Sequence, residues 1–149
     1  MTDCKQFATF YLNDHFFGVH VLKVQEVIRY QQMTRVPIAP AMIQGLINLR
    51  GQIVTAIDLR RRFEMPARPA DQFPMNVVVR TDDGAVSLLV DEIGDVLEIA
   101  NDTFESTPES LKGVVRQLVE GVYKLTDLLL LILDTDKAVC VPPTLKPTE

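Results

Sequence analysis

Two histidines and a pair of adjacent carboxylates are the side chains of this sequence best suited to acid–base chemistry. Asp91 and Glu92 could act as paired carboxylates, and His15 or His20 could accept a proton in a small-molecule site. The histidines lie five residues apart around a strand-like segment, and an odd spacing in an extended chain directs side chains to opposite faces. They are poor joint ligands, so a small-molecule-binding barrel or enzyme using Asp91, Glu92 and one histidine is kept as the alternative hypothesis.

Motifs for cofactors and metals are missing from the sequence. Its seven glycines form no G-x-G-x-x-G motif or phosphate-binding loop, and no serine stands in a G-x-S-x-G motif. Cys4 and Cys140 have no cysteine or histidine at zinc spacing, and Asp134 with Asp136 lacks the later residues of a calcium loop. We therefore expect no cofactor and no metal, and a binding module is favoured over an enzyme.

Two groups of charged residues have a simpler interpretation than a docking or catalytic site. Three arginines at 60–62 stand between apolar residues in a predicted helical turn. An acidic group spans a predicted strand junction and consists of Asp91, Glu92, Asp95 and Glu98. Because charged side chains are rarely buried in full, both groups are interpreted as solvated surface.

The composition predicts one compact domain. The chain has 149 residues, of which 47% are apolar, enough for a buried core. Fifteen basic and 20 acidic residues give a net charge of −5, which would repel a nucleic acid backbone. The longest apolar run, at 128–133, is far shorter than the roughly 18–20 residues that span a bilayer, and the first residues do not resemble a signal peptide. We expect a cytoplasmic protein that neither enters the membrane nor binds nucleic acid.

Short apolar runs between turn residues are typical of an all-β barrel or sandwich. The runs lie at 7–12, 16–21, 46–49, 53–57, 77–80, 86–90, 96–99, 118–125 and 128–133. Tight links such as Asn13-Asp14 and Arg50-Gly51 predict hairpins between neighbours. A few short helical turns are predicted around 41–44, around 59–63, after Asp134 and from Ser106.

An internal repeat predicts how the strands are covered. The runs at 53–57 and 128–133 are apolar on both faces, so another sheet or a partner protein must cover the second face. Shifted by 76 residues, 45–58 matches 121–134, and shifted by 69 residues, 18–28 matches 87–97. We expect two related barrels packed face to face, one over 15–70 and one over 71–140. The strand at 5–13 could be shared, the seam lies at 65–74, and 141–149 forms a tail.

Several sequence blocks carry a family resemblance. The most specific is Asn-Leu-Arg-Gly at 48–51, followed by an apolar strand and Asp-Leu at 58–59; weaker blocks lie at 17–28, 87–97 and 121–134. From about residue 7 to 139 the chain resembles the family of the bacterial chemotaxis coupling protein CheW. The resemblance implies one CheW-like domain over 1–149, built of two packed SH3-like five-stranded β-barrels.

The resemblance also implies a function and its residues. Members of the family are non-enzymatic adaptors that couple chemoreceptor signalling tips to the histidine kinase CheA. Residues that match kinase-binding positions are Val21, Val24 and Glu26, and those that match receptor-binding positions are Gly45, Asn48, Arg50 and Val96. The implied partners are the CheA regulatory domain and the cytoplasmic tips of methyl-accepting chemoreceptors, in membrane-associated arrays.

Four residues depart from the pattern of the family. They are His20, Ser87, Thr126 and Leu128, which replace an acid, two glycines and a polar residue. The fold expectation is unaffected by them, whereas the receptors, the stimulus and the pathway, whether swimming, pilus or another, stay open.

Overall fold

The computed structural model describes residues 4–37, 42–82, 84–100, 104–109, 111, 113–125 and 128–139. The strands are β1 (Cys4–Leu12), β2 (His15–His20), β3 (Val24–Ile28), β4 (Ile43–Leu49), β5 (Gln52–Asp58), β6 (Met75–Thr81), β7 (Gly84–Val90), β8 (Glu92–Ala100), β9 (Phe104–Glu105), β10 (Val119–Lys124) and β11 (Leu129–Leu133). The helices are α1 (Leu59–Arg62), α2 (Gly113–Leu118) and α3 (Thr135–Val139), and a 3-10 turn covers Val21–Lys23.

These strands form two sheets, which confirms the predicted all-β class. A six-stranded sheet has the order β8-β1-β2-β11-β10-β9, and a five-stranded sheet has the order β3-β6-β7-β5-β4. Strands β2 and β11 pair in parallel, as do β5 and β7, and the other pairs are antiparallel. The predicted short helices at α1 and α3 are confirmed. The one from Ser106 is wrong, because residues 106–108 are irregular and α2 begins only at Gly113. The turn predicted around 41–44 is also wrong, because β4 already begins at Ile43.

The registers reveal the duplication residue by residue. In the five-stranded sheet Val24 pairs with Val79, and in the six-stranded sheet Ile93 pairs with Phe10, each residue standing 69 positions from its counterpart. The β4–β5 hairpin recurs 76 residues later as β10–β11, with an irregularity in register at the same place. Even the extra strand β9 has a counterpart, since the bridge from Thr34 to Leu46 matches the pairing of β9 with β10. The repeat found in the sequence is therefore a structural repeat.

The two halves of the chain exchange strands, so the predicted division at residue 70 does not follow the sheets. Strand β2, assigned to the barrel over 15–70, lies in the six-stranded sheet with β1 and β8 to β11. Strands β6 and β7, assigned to the barrel over 71–140, lie in the five-stranded sheet with β3 to β5. The physical reason is the pair of parallel contacts, which join β2 to β11 and β5 to β7 across long stretches of chain. The predicted tail at 141–149 lies outside the described residues.

Both faces of the central strands are buried, one in the core between the two sheets and the other in a smaller apolar cluster of each sheet. The main core lies between the sheets and includes Phe17 from one and Val77 from the other. On its opposite face, the six-stranded sheet encloses Phe7, Tyr123, Leu130 and Ile132, and the five-stranded sheet encloses Ile47, Leu49, Val54 and Val78. Alternate residues of β11 point into different clusters, which explains why that strand is apolar at every position. Full burial of each such side chain contributes about 1.5–3 kcal/mol.

Candidate functional site

The β4–β5 hairpin holds one arginine at its tip. Arg50 and Gly51 both have positive φ angles, 50° and 90°, the backbone of a tight type I′ turn that matches the twist of the strands. The side-chain oxygen of Asn48 accepts a hydrogen bond of 2.8 Å from the Gly51 amide and closes the turn. Asn48 therefore positions Arg50, whose side chain is 72% exposed.

Glu26 contacts this arginine from β3, which lies at the opposite edge of the same sheet from β4. A register irregularity in β3 lies between Val24 and Glu26. The Arg50 guanidinium donates a hydrogen bond to Glu26 Oε2. That hydrogen bond lowers the pKa of Glu26 below its ordinary value. One residue of the predicted kinase-binding set thus contacts one residue of the predicted receptor-binding set.

The other predicted kinase-binding residues lie beside Glu26. Val21 stands in the 3-10 turn where the chain leaves β2, and Leu22 beside it is one of the most exposed apolar side chains of the described part of the chain. Val24 is half-buried and packs against the main core, so part of its role is structural.

The remaining two receptor-binding predictions occupy different surroundings. Gly45 is buried in β4, where a Cβ atom would stand 2.7 Å from the Thr34 carbonyl oxygen and 3.0 Å from Met33 Cβ. Its lack of a side chain lets the segment around Thr34 pack over the sheet. Val96 lies on β8 of the six-stranded sheet, opposite Ala8, and is 58% exposed. The structure thus joins Asn48, Arg50 and Glu26, and places Val96 on the other sheet.

The groups of the alternative hypothesis do not converge. Asp91 is buried in ion pairs, whereas Glu92 is exposed at the start of β8. His20 Nε2 lies 3.5 Å from Glu120 Oε1, and the His15 ring packs on Phe17. Among the residues described, no group of three or more histidine, cysteine or acidic side chains could hold a metal ion. Cys4 is exposed, and Cys140 lies outside the described residues.

Arg60 and Asp91 belong to a buried charge network. The prediction that they lie on the solvated surface is wrong for both residues. Each is only 8% exposed. Arg60 donates to both Asp91 carboxylate oxygens, at 2.6–3.1 Å, and Arg68 Nε donates to Asp91 Oδ1 at 2.9 Å. The Asn13 amide adds a bond of 2.7 Å. Asp58 caps α1 through the Arg60 amide and lies 3.4 Å from Arg68 Nη2.

Opposing effects act on the pKa of Asp91. Burial raises it, but the hydrogen bonds from Arg60, from the Asn13 amide and from Arg68 outweigh burial and lower the pKa below its ordinary value. The same hydrogen bond to Asp91 raises the pKa of Arg60. Both groups therefore stay charged. Asp58, an acid directly before a short helical run of arginines, was a sequence signal for part of the network. The sequence did not indicate which residues would be partners of Asp91.

An ion-paired arginine displayed on a tight turn of a fold with two interlaced sheets is typical of a protein-binding module. A family model described as the CheW-like domain matches residues 6–140, and the chain belongs to that family. It is a non-enzymatic chemotaxis adaptor. No helix among the described residues is long and apolar enough to cross a membrane.

Similar proteins include the chemotaxis protein CheW of Klebsiella aerogenes, 32% identical over 133 residues, covering 89% of this chain and 80% of the relative. The CheW of Bacillus subtilis is 30% identical over 132 residues and covers 89% and 85% of the two chains. The crystal structure of the scaffolding protein TtCheW from Thermoanaerobacter tengcongensis superimposes with a TM-score of 0.79 at 29% identity, covering 89% of each chain.

Proposed function

We propose that this adaptor holds a chemoreceptor tip and the regulatory domain of a CheA-type histidine kinase in one assembly at the cytoplasmic face of a receptor array. Membership of the CheW-like family supports this role, as does the scaffolding role given to the structural relative. Val21, Val24 and Glu26 would face the kinase. Gly45, Asn48, Arg50 and Val96 would face the receptor, with Gly45 and Asn48 acting through the backbone they shape.

The contact between Glu26 and Arg50 is the observation that carries the proposal. A guanidinium can bind a partner carboxylate with two parallel hydrogen bonds, and Arg50 projects from a turn that holds it clear of the sheet. Ile53, which pairs with Asn48 and is exposed, offers an apolar contact beside it. A receptor carboxylate on Arg50 would weaken its bond to Glu26 and so change the surface offered to the kinase. Binding at one site is thereby linked to binding at the other.

Charge reversal tests the proposal. Arg50→Glu should weaken binding of a receptor cytoplasmic fragment, and Glu26→Arg should weaken binding of a purified CheA regulatory domain, each by about tenfold or more. Both partners are measured by calorimetry with each variant. Lys137→Glu, which reverses an exposed charge on α3, is the matched control. The Arg50 side chain is 72% exposed, and exposed charges contribute little to stability, so the thermal melt of Arg50→Glu should stay close to that of the wild type.

The double variant Glu26→Arg with Arg50→Glu restores the ion pair with its polarity inverted. If it recovers both interactions, the pair only supports the hairpin; if it recovers neither, the side chains bind the partners directly, as proposed. Unchanged binding of both partners by the folded single variants would refute the assignment.

A further inference from the structure

The ten residues 65–74, here called the connecting loop, join α1 to β6 without regular secondary structure and are nevertheless fastened to the protein interior. Arg60 Nη1 donates to the Pro66 carbonyl oxygen at 3.0 Å. Arg68, which belongs to the loop, inserts a nearly buried side chain between Asp91 and Asp58. The loop is therefore held by the buried charge network and not by a strand or helix.

Holding a surface loop through buried charges has a substantial free-energy cost. Removal of an arginine or an aspartate from water costs several kcal/mol per ion, and the attraction between the charges often does no more than offset it. Buried ion networks are therefore weak devices for stability, and in some proteins they serve to specify one conformation. We interpret the network here in that way: its hydrogen bonds to the loop favour one conformation of the connecting loop over others.

That conformation displays an aromatic pair beside a cavity. Phe73 is 64% exposed, and its ring lies 5.0 Å from the ring of Tyr30, which follows β3. The adjacent cavity has a volume of about 260 Å³, and Met33, Pro69 and Arg61 are among its lining residues. Half-exposed aromatic rings next to a preformed concave surface are typical of sites that receive an apolar side chain of a partner.

The charged residues that line the cavity indicate which polar group of a ligand it could bind. Its charged lining residues are Asp58, Arg61 and Arg68, which leaves one positive charge in excess. Arg68 is occupied by the buried network. Arg61 is 51% exposed, and its Nε lies 3.7 Å from Asp58 Oδ2, beyond hydrogen-bond distance. Its guanidinium is the group that can donate to a ligand, and a carboxylate matches its geometry.

We propose that this cavity binds an acidic peptide segment of a partner protein, with one carboxylate on Arg61 and a neighbouring proline or aromatic ring packed on Phe73 and Tyr30. The site is separate from the proposed contacts of Glu26 and Arg50, and its existence does not depend on them.

The test uses the full chain and a fluorescein-labelled hexapeptide, Glu-Glu-Pro-Phe-Glu-Glu, followed by fluorescence anisotropy. The peptide should bind, and Arg61→Gln or Phe73→Ala should each weaken binding about tenfold or more, because each removes one of the two kinds of contact. Both side chains are half or more exposed, so thermal melts should be unchanged. Lys5→Gln on β1 and Tyr11→Ala, an exposed aromatic also on β1, are the matched controls.

Further measurements distinguish binding of the peptide at this cavity from binding elsewhere on the protein. A peptide with lysine at the four glutamate positions should not bind. Amide shifts caused by the acidic peptide should cluster around Tyr30, Arg61 and Phe73, and those around Arg50 should stay small. No binding at millimolar peptide, equal affinity of the two cavity variants and the wild type, tighter binding of an oligonucleotide, or self-association through this face would each overturn the proposal.

Discussion

Substitution of Asp91 by asparagine should destabilise the fold strongly. The carboxylate is 8% exposed and accepts hydrogen bonds from Arg60, Arg68 and the Asn13 amide. Asparagine keeps the shape and one acceptor but leaves two guanidinium groups without their shared countercharge. Breaking a buried ion pair costs about 3–5 kcal/mol. For a domain of this length, each kcal/mol lowers Tm by about 2–4 °C, so we expect a loss of roughly 6–20 °C.

Thermal denaturation followed by circular dichroism measures this loss, with Glu92→Gln as the control because Glu92 is adjacent and exposed. The pKa of Asp91 is lower in the folded protein than in the unfolded chain. Its contribution is therefore complete above the ordinary aspartate pKa of about 3.9 and is lost as the pH falls through the lowered value. The gap in Tm between wild type and Asp91→Asn should narrow in that acidic range. A difference below about 2 °C at neutral pH, or a gap that does not change with pH, would refute the buried network.

Two further perturbations test other parts of the structure. Gly45→Ala would place a Cβ atom 2.7 Å from the Thr34 carbonyl oxygen, so we expect a loss of about 1–3 kcal/mol and faster hydrogen exchange of the Leu46 amide, which donates to that oxygen. Unaltered exchange would contradict this packing. Burial, with a smaller contribution from Glu120, raises the pKa of Tyr123, so the stability from the neutral phenol is complete below about pH 10 and is lost as the pH rises through the raised value. Alkaline titration by absorbance should reveal a late-ionising phenol that Tyr123→Phe removes; the same curve in the variant would contradict the assignment.

Local pattern was enough to locate most strands and the duplication. Runs such as 53–57 and 86–90 carry the β-branched and apolar residues that strands need, and each lies within an observed strand. Strand β3 was not predicted as a strand, because its residues are mostly half-exposed and its Gln and Glu interrupt the apolar pattern. The exchange of strands between the halves also went unseen, since parallel pairing joins residues more than 100 positions apart, as in Phe16 and Leu130.

The sequence predicted which residues belong to the candidate site but not which of them contact one another. Resemblance supplied Glu26 and Arg50, but their hydrogen bond spans 24 positions and only the fold brings the two together. The burial of Asp91 was missed for a similar reason. In sequence it is one of several acids, and the arginines that neutralise it come from α1 and the connecting loop. A charged side chain whose ion-pair partners are unknown is predicted to be exposed to solvent.

The exchanged strands have a consequence for how such a chain could be divided. Cutting the polypeptide within 65–74 would leave an amino-terminal piece with β1 to β5 and a carboxyl-terminal piece with β6 to β11, and neither would own a complete sheet. Each piece alone should fail to fold, while a mixture of both should reconstitute the native molecule as an intertwined heterodimer. A single repeat would have to meet the same requirement by pairing with a second copy of itself, as an intertwined homodimer.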